Sequence, residues 1–310
     1  MYRMKRITLL TALLALPFCG SAQETTTTND TQKGEGKMPY ITLNDGNRMP
    51  QLGFGTWTLK GDIAANSVRE ALRLGYRLVD TAHDYGNEAD VGRGIRESGV
   101  PREEIFVTTK VGPQTLREGR TRESVEESLE KLGLDYLDLV LIHWPVRGRY
   151  VESWKALEAL VREGKVKSIG LSNFNPHHVD DILDACDIRP VIDQIELHPF
   201  LTQPGVVGAI FGRGLAVEAW APLGSGGGDL DEPALARIAE AHGRTPAQVV
   251  LRWHLQRGVV AIPRSSNPAH IAENLAVLDF ELTPAEMAIV SGLDKNRRNF
   301  HKNDPESFPW

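Results

Sequence analysis

From Met38 onward, the chain alternates short apolar runs rich in β-branched residues with longer segments of helical periodicity. Runs such as "YRLVDTA", "IFVTTKV" and "LAVEAWAPL" predict buried strands, and segments such as "EADVGRGIRESG" and "TRESVEESLEKLGL" predict helices between them. Strands separated by helices pair in parallel, because each helical crossover returns the chain to the same edge of the sheet. About eight such βα units run from "LGFG" to "VVAIP". The predicted fold is therefore α/β, a (β/α)8 TIM barrel, with an N-terminal β-hairpin in "YITLNDGNRMPQLGFG".

A doubly wound open sheet is the alternative architecture for strands that alternate with helices. Its dinucleotide-binding fingerprint, G-x-G-x-x-G after the first strand, is absent from this chain. "GFGTW" reads only as a strand end, and "GSGGGD" at 224–229 follows a late strand, so we interpret it as a mobile loop. These observations favour the barrel.

The N-terminal segment does not have the pattern of the barrel. Residues 1–22 combine basic residues, the apolar run "ITLLTALLALPF" and small residues before a predicted cleavage after Ala22, which is the pattern of a secretory signal peptide. Residues 23–37 are polar and predict a flexible linker, residues 38–294 form the predicted barrel, and residues 295–310 form a C-terminal tail. The protein is exported or periplasmic if the signal is used. The alternative is a cytoplasmic protein that starts at Met38, because "MPYITLNDGNRMP" resembles a complete native start.

The composition excludes several classes of partner. A formal net charge of −6 gives no basic field for nucleic acid or anionic lipid. With only Cys19 and Cys186, neither a disulfide framework nor a thiolate metal cluster is expected. The histidines show no metal-ligand spacing, so no metal site is predicted. We expect a monomer without a membrane span that acts on a small molecule.

Polar residues stand at the predicted C-terminal ends of the strands, where the chemistry of a TIM barrel collects. In chain order they are Gly55-Thr56-Trp57, Asp80, Lys110, His143-Trp144, Ser172-Asn173, Gln194, Glu196, His198, Trp220 and Arg264-Ser265. A charge that ends an apolar run is costly to bury unless it is paired. Asp80, Lys110 and His143 all end such runs and are therefore candidates for one site at the barrel mouth.

Tyr85, in the loop "AHDYGNE", completes a plausible set of reacting groups. Free tyrosine has a pKa of about 10 and needs assistance to exchange a proton near neutrality. The ammonium of Lys110 would lower that pKa, and Asp80 would hold the lysine charged and in place. His143 would orient a substrate oxygen at the same point. Such a phenol beside a carbonyl oxygen is a general acid for carbonyl reduction.

Three motifs of the chain resemble motifs of the aldo-keto reductase family. "GYRLVDTAHDYGNEADVG" resembles its first signature, "GKVKSIGLSNFN" its second, and "LIHWP" its histidine strand. The resemblance extends from about Met38 to Asp294, and "VEAWAPLGSGGG" is most similar to the 2,5-diketo-D-gluconate reductase branch. It implies a catalytic tetrad of Asp80, Tyr85, Lys110 and His143, with Tyr85 as the proton donor.

The resemblance also implies an extended nicotinamide cofactor across the barrel mouth. Trp220 would stack on the nicotinamide, and Ser172, Asn173 and Gln194 would hold its carboxamide. The implied cofactor contacts are Gly55, Thr56, Trp57, Asp80, Ser172, Asn173, Gln194, Trp220, Pro222, Leu223, Gly224, Arg264, Ser265, Asn267, His270, Glu273 and Asn274. The implied substrate contacts are Trp57, Tyr85, His143 and Trp144.

The segment "IPRSSNPAHIAEN" departs from the family pattern at one position. Arg264 and Ser265 match the grip on an adenosine 2′-phosphate, but His270 replaces the usual second arginine. One permanent cation is therefore lost, while Arg264 keeps its planar fork for phosphate. We expect NADPH to be preferred and NADH to be tolerated better than in a site with two arginines.

The leading functional hypothesis is an NADPH-dependent reductase of aldehydes or ketones, including keto-sugars such as 2,5-diketo-D-gluconate. A cofactor-binding regulatory subunit with the same fold and little turnover is the first alternative. A different barrel enzyme, such as a hydrolase or an aldolase, is the second. Asp80 beside Lys110 argues against a Schiff-base lysine, which needs a low pKa.

Overall fold

The computed structural model describes residues 38–226, 228–300 and 303–308. The predicted signal peptide and linker at residues 1–37 lie outside the described residues, so export stays a prediction. Within the described residues, no helix combines the length and the apolar character that crossing a bilayer requires.

The predicted N-terminal hairpin is confirmed. Strands β1 (Tyr40–Thr42) and β2 (Arg48–Pro50) pair antiparallel. The turn between them carries Gly46 at a φ of 88°, a conformation that glycine adopts without strain. Leu43 and Met49 are buried against side chains of the barrel interior, including Leu78. The hairpin thus closes one end of the barrel and leaves the other end for a site.

The predicted parallel barrel is confirmed, and its strands are neighbours in the order of the chain. Leu52, just before the first of them, forms a parallel bridge to Ala261 in the last, and Gly53 N–H donates to the Ala261 carbonyl at 2.9 Å, which closes the sheet. The strands are β3 (Phe54–Gly55), β4 (Leu78–Asp80), β5 (Phe106–Val111), β6 (Leu137–Ile142), β7 (Val166–Ser172), β8 (Ile192–Glu196), β9 (Ala216–Trp220) and β10 (Val260–Ala261).

The helices pack around the sheet and bury its outer face in one large apolar cluster. In the described part of the chain they are α1 (Gly61–Leu74), α2 (Glu88–Ser98), α3 (Pro113–Glu118), α4 (Thr121–Leu132), α5 (Tyr150–Arg162), α6 (Pro176–Ala185), α7 (Pro204–Gly212), α8 (Pro233–His242), α9 (Pro246–Gln256), α10 (Pro268–Leu275) and α11 (Pro284–Ser291).

Two of these helices, α3 and α11, are absent from the sequence-based prediction. Both are short, with six and eight residues, and bury only Leu116 and Val290 respectively. Neither therefore shows the apolar stripe by which a helix is recognised in a sequence. The remaining signal for α11 is local: Thr283 Oγ1 accepts from the Glu286 N–H at 3.3 Å, and the Thr283 N–H donates to Glu286 Oε2 at 2.7 Å.

Candidate active site

A cavity of about 390 Å³ opens at the C-terminal ends of the barrel strands. Most of the predicted site residues line it, although they come from well-separated parts of the chain. The lining includes Gly55, Thr56, Trp57, Asp80, Tyr85, His143, Trp144, Ser172, Asn173, Gln194, Trp220, Pro222, Leu223 and Arg264. The other predicted residues, which do not line it, are Lys110, Gly224, Ser265, Asn267, His270, Glu273 and Asn274.

Lys110 connects the floor of the cavity to Tyr85. Its ammonium group donates to Asp80 Oδ1 at 2.6 Å, to the Thr81 carbonyl at 2.8 Å and to the Tyr85 hydroxyl at 3.4 Å. Lys110 and Asp80 are almost completely buried. A buried ion pair of this kind is held by its geometry and its additional hydrogen bonds, because both charges have given up their water.

The pKa of Tyr85 moves in the opposite direction from the one expected from the sequence. Burial raises the pKa of the phenol above its usual range, and the nearby Lys110 opposes this shift without reversing it. The sequence-based expectation of a net lowering is therefore wrong, because spacing reveals the cation but not the extent of desolvation. Tyr85 is a fully protonated phenol at neutral pH.

His143 is a neutral imidazole next to the phenol. Its ring lies edge-on to the Tyr85 ring, with 5.8 Å between the ring centroids. Burial, and secondarily the charge of Lys110, lower the pKa of His143 to about 3. An uncharged imidazole offers a hydrogen bond without placing a second cation beside the Lys110 ammonium.

The loop after β4 has a shape that brings Tyr85 over the cavity. Residues His83–Tyr85 form a single 3-10 turn, which ends at Gly86 with a φ of 59°. Asn87, which is buried, donates to the carbonyls of Thr56 and Leu59 at 2.9 Å each. The motif "DYGNE" thus fastens this loop to the loop after β3.

Asn173 holds the indole of Trp220 at the side of the cavity. The indole Nε1–H donates to Asn173 Oδ1 at 2.8 Å, and Asn173 Nδ2 donates to the His143 carbonyl at 3.0 Å and to Ser172 Oγ at 3.1 Å. Asn173 sits at a φ of 62°, a left-handed conformation that asparagine tolerates better than most residues. The predicted carboxamide contact Asn173 is therefore also the residue that orients the predicted stacking ring.

A buried carboxyl group that the sequence analysis did not select lies behind these residues. Glu218 on β9 is the register partner of Gln194 on β8. Gln194 Nε2 donates to Asp80 Oδ2 at 2.8 Å and to Glu218 Oε2 at 2.7 Å. Glu218 is 0% exposed. Its signal in the sequence is a lone acid in the apolar strand "LAVEAW", two positions before Trp220 and hence on the same face.

The predicted adenosine-binding segment lies at the start of α10. Arg264 is exposed at the rim of the cavity, and Ser265, Asn267 and His270 follow it on the surface. Asn267 caps α10 by accepting from the Ala269 N–H at 3.0 Å. Glu273 instead accepts a 2.6 Å hydrogen bond from Thr245 Oγ1. Asn274 is buried.

The C-terminal tail supplies aromatic walls to the cavity. Phe300 lies against Trp57 and Trp220, with centroid distances of 5.5 Å and 5.4 Å. Phe308 stacks on Trp144 at 4.1 Å with 19° between the ring planes. Phe300 and Phe308 both line the cavity, so the tail contributes directly to its shape.

A polar cluster, here called the tail latch, fastens the start of this tail, and three of its four residues are buried. It consists of Glu196, His198, Asp229 and Asn299. His198 Nδ1 lies 2.7 Å from Asp229 Oδ2 and its Nε2 lies 3.3 Å from Glu196 Oε1. Asn299 N–H donates to Glu196 Oε1 at 2.8 Å, and Asn299 Nδ2 donates to Asp229 Oδ1 at 3.0 Å. The latch therefore joins the tail to the loop after β9, and it gives His198 and Glu196 a structural role that the sequence analysis did not assign.

The tail latch predicts a pH-dependent stability. Burial alone lowers the pKa of His198, but Asp229 and Glu196 outweigh burial and raise the pKa above its usual range. A histidine with a raised pKa contributes stability that is fully present below its unfolded pKa of about 6.5 and is lost as pH rises through the folded pKa. We expect His198→Gln to lower the free energy of unfolding at pH 6 by about 1–3 kcal/mol, and by less at pH 9. Denaturant titrations at both pH values measure this, with His270→Gln as the same change at an exposed histidine. An equal loss at both pH values would contradict a charged His198.

One group of side chains in the described residues has the composition of a metal site, namely His177, His178 and Glu306. Its geometry argues for a different role. The Asn175 N–H donates to His178 Nδ1 at 3.2 Å, which caps α6 and leaves the proton of the neutral ring on Nε2. Asn175 Nδ2 also donates to Glu306 Oε1. We interpret the group as a contact between the tail and the beginning of α6, where the helix dipole disfavours a cation.

Several known proteins are similar to this chain over most of its length. The model of the "Aldo/keto reductase family" matches residues 51–295. A 9,11-endoperoxide prostaglandin H2 reductase of Trypanosoma cruzi is 48% identical over 271 residues, 86% of this chain and 95% of that protein. A methylglyoxal reductase of Salmonella typhimurium is 45% identical over 271 residues, 86% of this chain and 97% of that protein.

A solved structure extends the likeness to three dimensions. The crystal structure of a Bombyx mori aldo-keto reductase in complex with NADP has a TM-score of 0.82 and 36% identity, covering 88% of this chain and 98% of that chain. The family match spans most of the barrel and the strand ends that carry the cavity. The resemblance of the sequence motifs to the family as a whole is therefore confirmed, and the chain belongs to the aldo/keto reductase family of oxidoreductases.

Proposed function

We propose that this protein is an NADPH-dependent reductase that converts small aldehydes or ketones to alcohols, with Tyr85 as the proton donor. The observation that carries the proposal is the contact of 3.4 Å between the Lys110 ammonium and the Tyr85 hydroxyl at the wall of the cavity. Family membership supplies the reaction class. The buried pair of Lys110 and Asp80 supplies a reason for the phenol to act there.

The side chains around the cavity fit a nicotinamide cofactor. Both amide hydrogens of Gln194 are engaged by carboxyl groups, so its oxygen is left as an acceptor for a carboxamide N–H. The Trp220 ring is fixed by Asn173, which suits a stacking platform. Arg264, exposed at the rim of the cavity, suits a phosphate. When bound, NADPH would supply the hydride that reduces the carbonyl carbon.

Side chains of the protein hold the proton and transfer it to the substrate. Because the pKa of Tyr85 is raised, the phenol is loaded with its proton before the reaction begins. Negative charge develops on the carbonyl oxygen during reduction, and an alkoxide is a much stronger base than a phenolate, so the proton moves from Tyr85 to that oxygen. The phenolate that remains is stabilised by the Lys110 ammonium, whose charge Asp80 secures. The neutral imidazole of His143 is available to hydrogen-bond the same oxygen.

The shape of the cavity favours compact substrates. Trp57, Trp144, Phe300 and Phe308 surround the reacting groups with aromatic surface. The relative from Salmonella typhimurium is a methylglyoxal reductase, and the sequence motifs are most similar to the 2,5-diketo-D-gluconate reductase branch. We therefore propose small dicarbonyl compounds and keto-sugars as the first substrates to examine.

A substrate screen tests the proposed function. Purified protein spanning residues 38–310 is mixed with NADPH and a panel of aldehydes, ketones, dicarbonyls and keto-sugars, and NADPH absorbance is followed. We expect saturable oxidation of NADPH with at least one carbonyl class and formation of the matching alcohol. Tight NADPH binding without turnover on any of them would instead favour the regulatory alternative.

Cofactor preference forms a separate prediction. We expect a lower Michaelis constant for NADPH than for NADH, with measurable turnover on both, because His270 stands where a second permanent cation is usual. Arg264→Ala should raise the Michaelis constant for NADPH by about 10-fold or more, since one charge-assisted contact to the phosphate is lost. The same substitution should change the value for NADH much less. Strict rejection of NADH by the parent protein would contradict this prediction.

A further inference from the structure

The buried carboxyl group of Glu218 has no place in the proton transfer described above. It lies within the barrel, 0% exposed, and of its two oxygens only Oε2 has a hydrogen-bond partner in the described structure, Gln194 Nε2 at 2.7 Å. Burying a carboxyl group with a single hydrogen-bond partner is costly. Glu218 lies beside Gln194 on the neighbouring strand and contacts it directly, so it can influence how Gln194 is oriented in the cavity.

We propose that Glu218 is a positioning residue for the reaction: its buried carboxyl group accepts a hydrogen bond from Gln194 Nε2 and so orients the Gln194 amide in the site. This inference rests on the proposed function. It assigns to Glu218 a role in binding the cofactor carboxamide and in setting the acidity of the proton donor.

The orientation follows from the hydrogen bonds of the amide. Gln194 Nε2 carries two hydrogens, and one is donated to Asp80 and the other to Glu218. A flipped amide would turn its oxygen toward the Asp80 carboxylate, which repels it, and would lose the hydrogen bond that Glu218 Oε2 accepts from Gln194 Nε2. Gln194 therefore presents its oxygen to the cavity and selects a ligand with an N–H donor, such as a carboxamide. Removing the Glu218 acceptor leaves Asp80 alone to hold the amide.

The charge state follows from the surroundings of Glu218. The titratable groups that face it are Asp80 on β4, Lys110 on β5 and Tyr85 in the loop after β4, while Gln194 on β8 and the apolar Val260 on β10 carry no charge. Burial, and secondarily Asp80, raise the pKa of Glu218 to about 8. The carboxyl group is therefore protonated at neutral pH. Ionisation above that pH places a second negative charge near Tyr85, which raises the pKa of the phenol and makes it a poorer acid.

Two variants separate these roles. Glu218→Gln keeps a hydrogen-bond acceptor for Gln194 and stays neutral at every pH, whereas Glu218→Leu removes the acceptor at similar volume. In the parent protein we expect kcat/KM for carbonyl reduction to fall about 3- to 10-fold as pH rises from 7 to 9. Glu218→Gln should keep neutral-pH activity within about 3-fold and lose this alkaline fall. Glu218→Leu should weaken NADP⁺ binding, followed by quenching of tryptophan fluorescence, by about 10-fold, and Glu218→Gln should restore it.

Two measurements decide whether Glu218 has this role. An unchanged alkaline fall in Glu218→Gln, or parental NADP⁺ affinity in folded Glu218→Leu, overturns the proposal. Circular dichroism and thermal melting establish folding, and if Glu218→Leu does not fold, the pH profile of Glu218→Gln alone is decisive. Absence of any carbonyl reduction by the parent protein would defeat the proposed function instead. NADP⁺ binding by the variants would still decide the orienting role of Glu218, because it requires no turnover.

Discussion

Tyr85→Phe is expected to lower kcat for carbonyl reduction by about 10²- to 10⁴-fold while the protein stays folded. The substitution removes the hydroxyl that supplies the proton and keeps the aromatic ring in the cavity wall. Lys110 retains its contacts with Asp80 and the Thr81 carbonyl, so no buried charge loses its partner. The effect should therefore appear in the chemical step and not in stability.

Single-turnover reduction of a good aldehyde by the parent and the variant, at saturating NADPH, measures this loss. NADPH affinity should change by less than about 3-fold, since the phenol acts on the substrate oxygen. Tyr136→Phe is the matched control, because Tyr136 stacks with Arg102 and Lys167 away from the cavity and loses only a hydroxyl. Parental rates in folded Tyr85→Phe would remove Tyr85 from the mechanism.

The barrel could be predicted from the sequence because its determining features are local and repeated. Each strand is an apolar run, each major helix has an amphipathic face, and glycines such as Gly75 at a φ of 118° end helices where the pattern stops. Parallel pairing then follows from connectivity. Asp80, Lys110 and His143 could be brought to one mouth for the same reason, since the ends of parallel strands share one edge. The short helices α3 and α11 lack such a pattern and were missed.

The energetics of the site could not be read from residue spacing. The sequence shows that a lysine is available to Tyr85, but not that burial outweighs the lysine and raises the pKa of the phenol. The sequence likewise does not identify Glu218 as a site residue, because its contact with Gln194 depends on the register between β8 and β9. The tail latch joins positions about a hundred residues apart, such as Glu196 and Asn299, through side chains that no local pattern links. The burial of these groups and their long-range pairing arise only when the barrel closes, so residue spacing in the sequence does not reveal them.

Lys110→Met should cost both activity and stability, because it breaks the buried ion pair from one side. Asp80 would remain a buried carboxylate with Gln194 as its side-chain donor and without a cation. Leaving one member of such a pair uncompensated costs about 3–5 kcal/mol. We expect this loss in the free energy of unfolding from denaturant titrations at pH 7, together with loss of the proton transfer that the ammonium supports.

The double variant Lys110→Met/Asp80→Asn separates stability from activity. Removing both charges takes away the unpaired carboxylate, so much of the lost stability should return while the reductase activity does not. A single variant as stable as the parent at pH 7 would mean that the charge of Lys110 contributes nothing to the stability of the barrel. The buried pair would then have to be explained by the chemistry at Tyr85 alone.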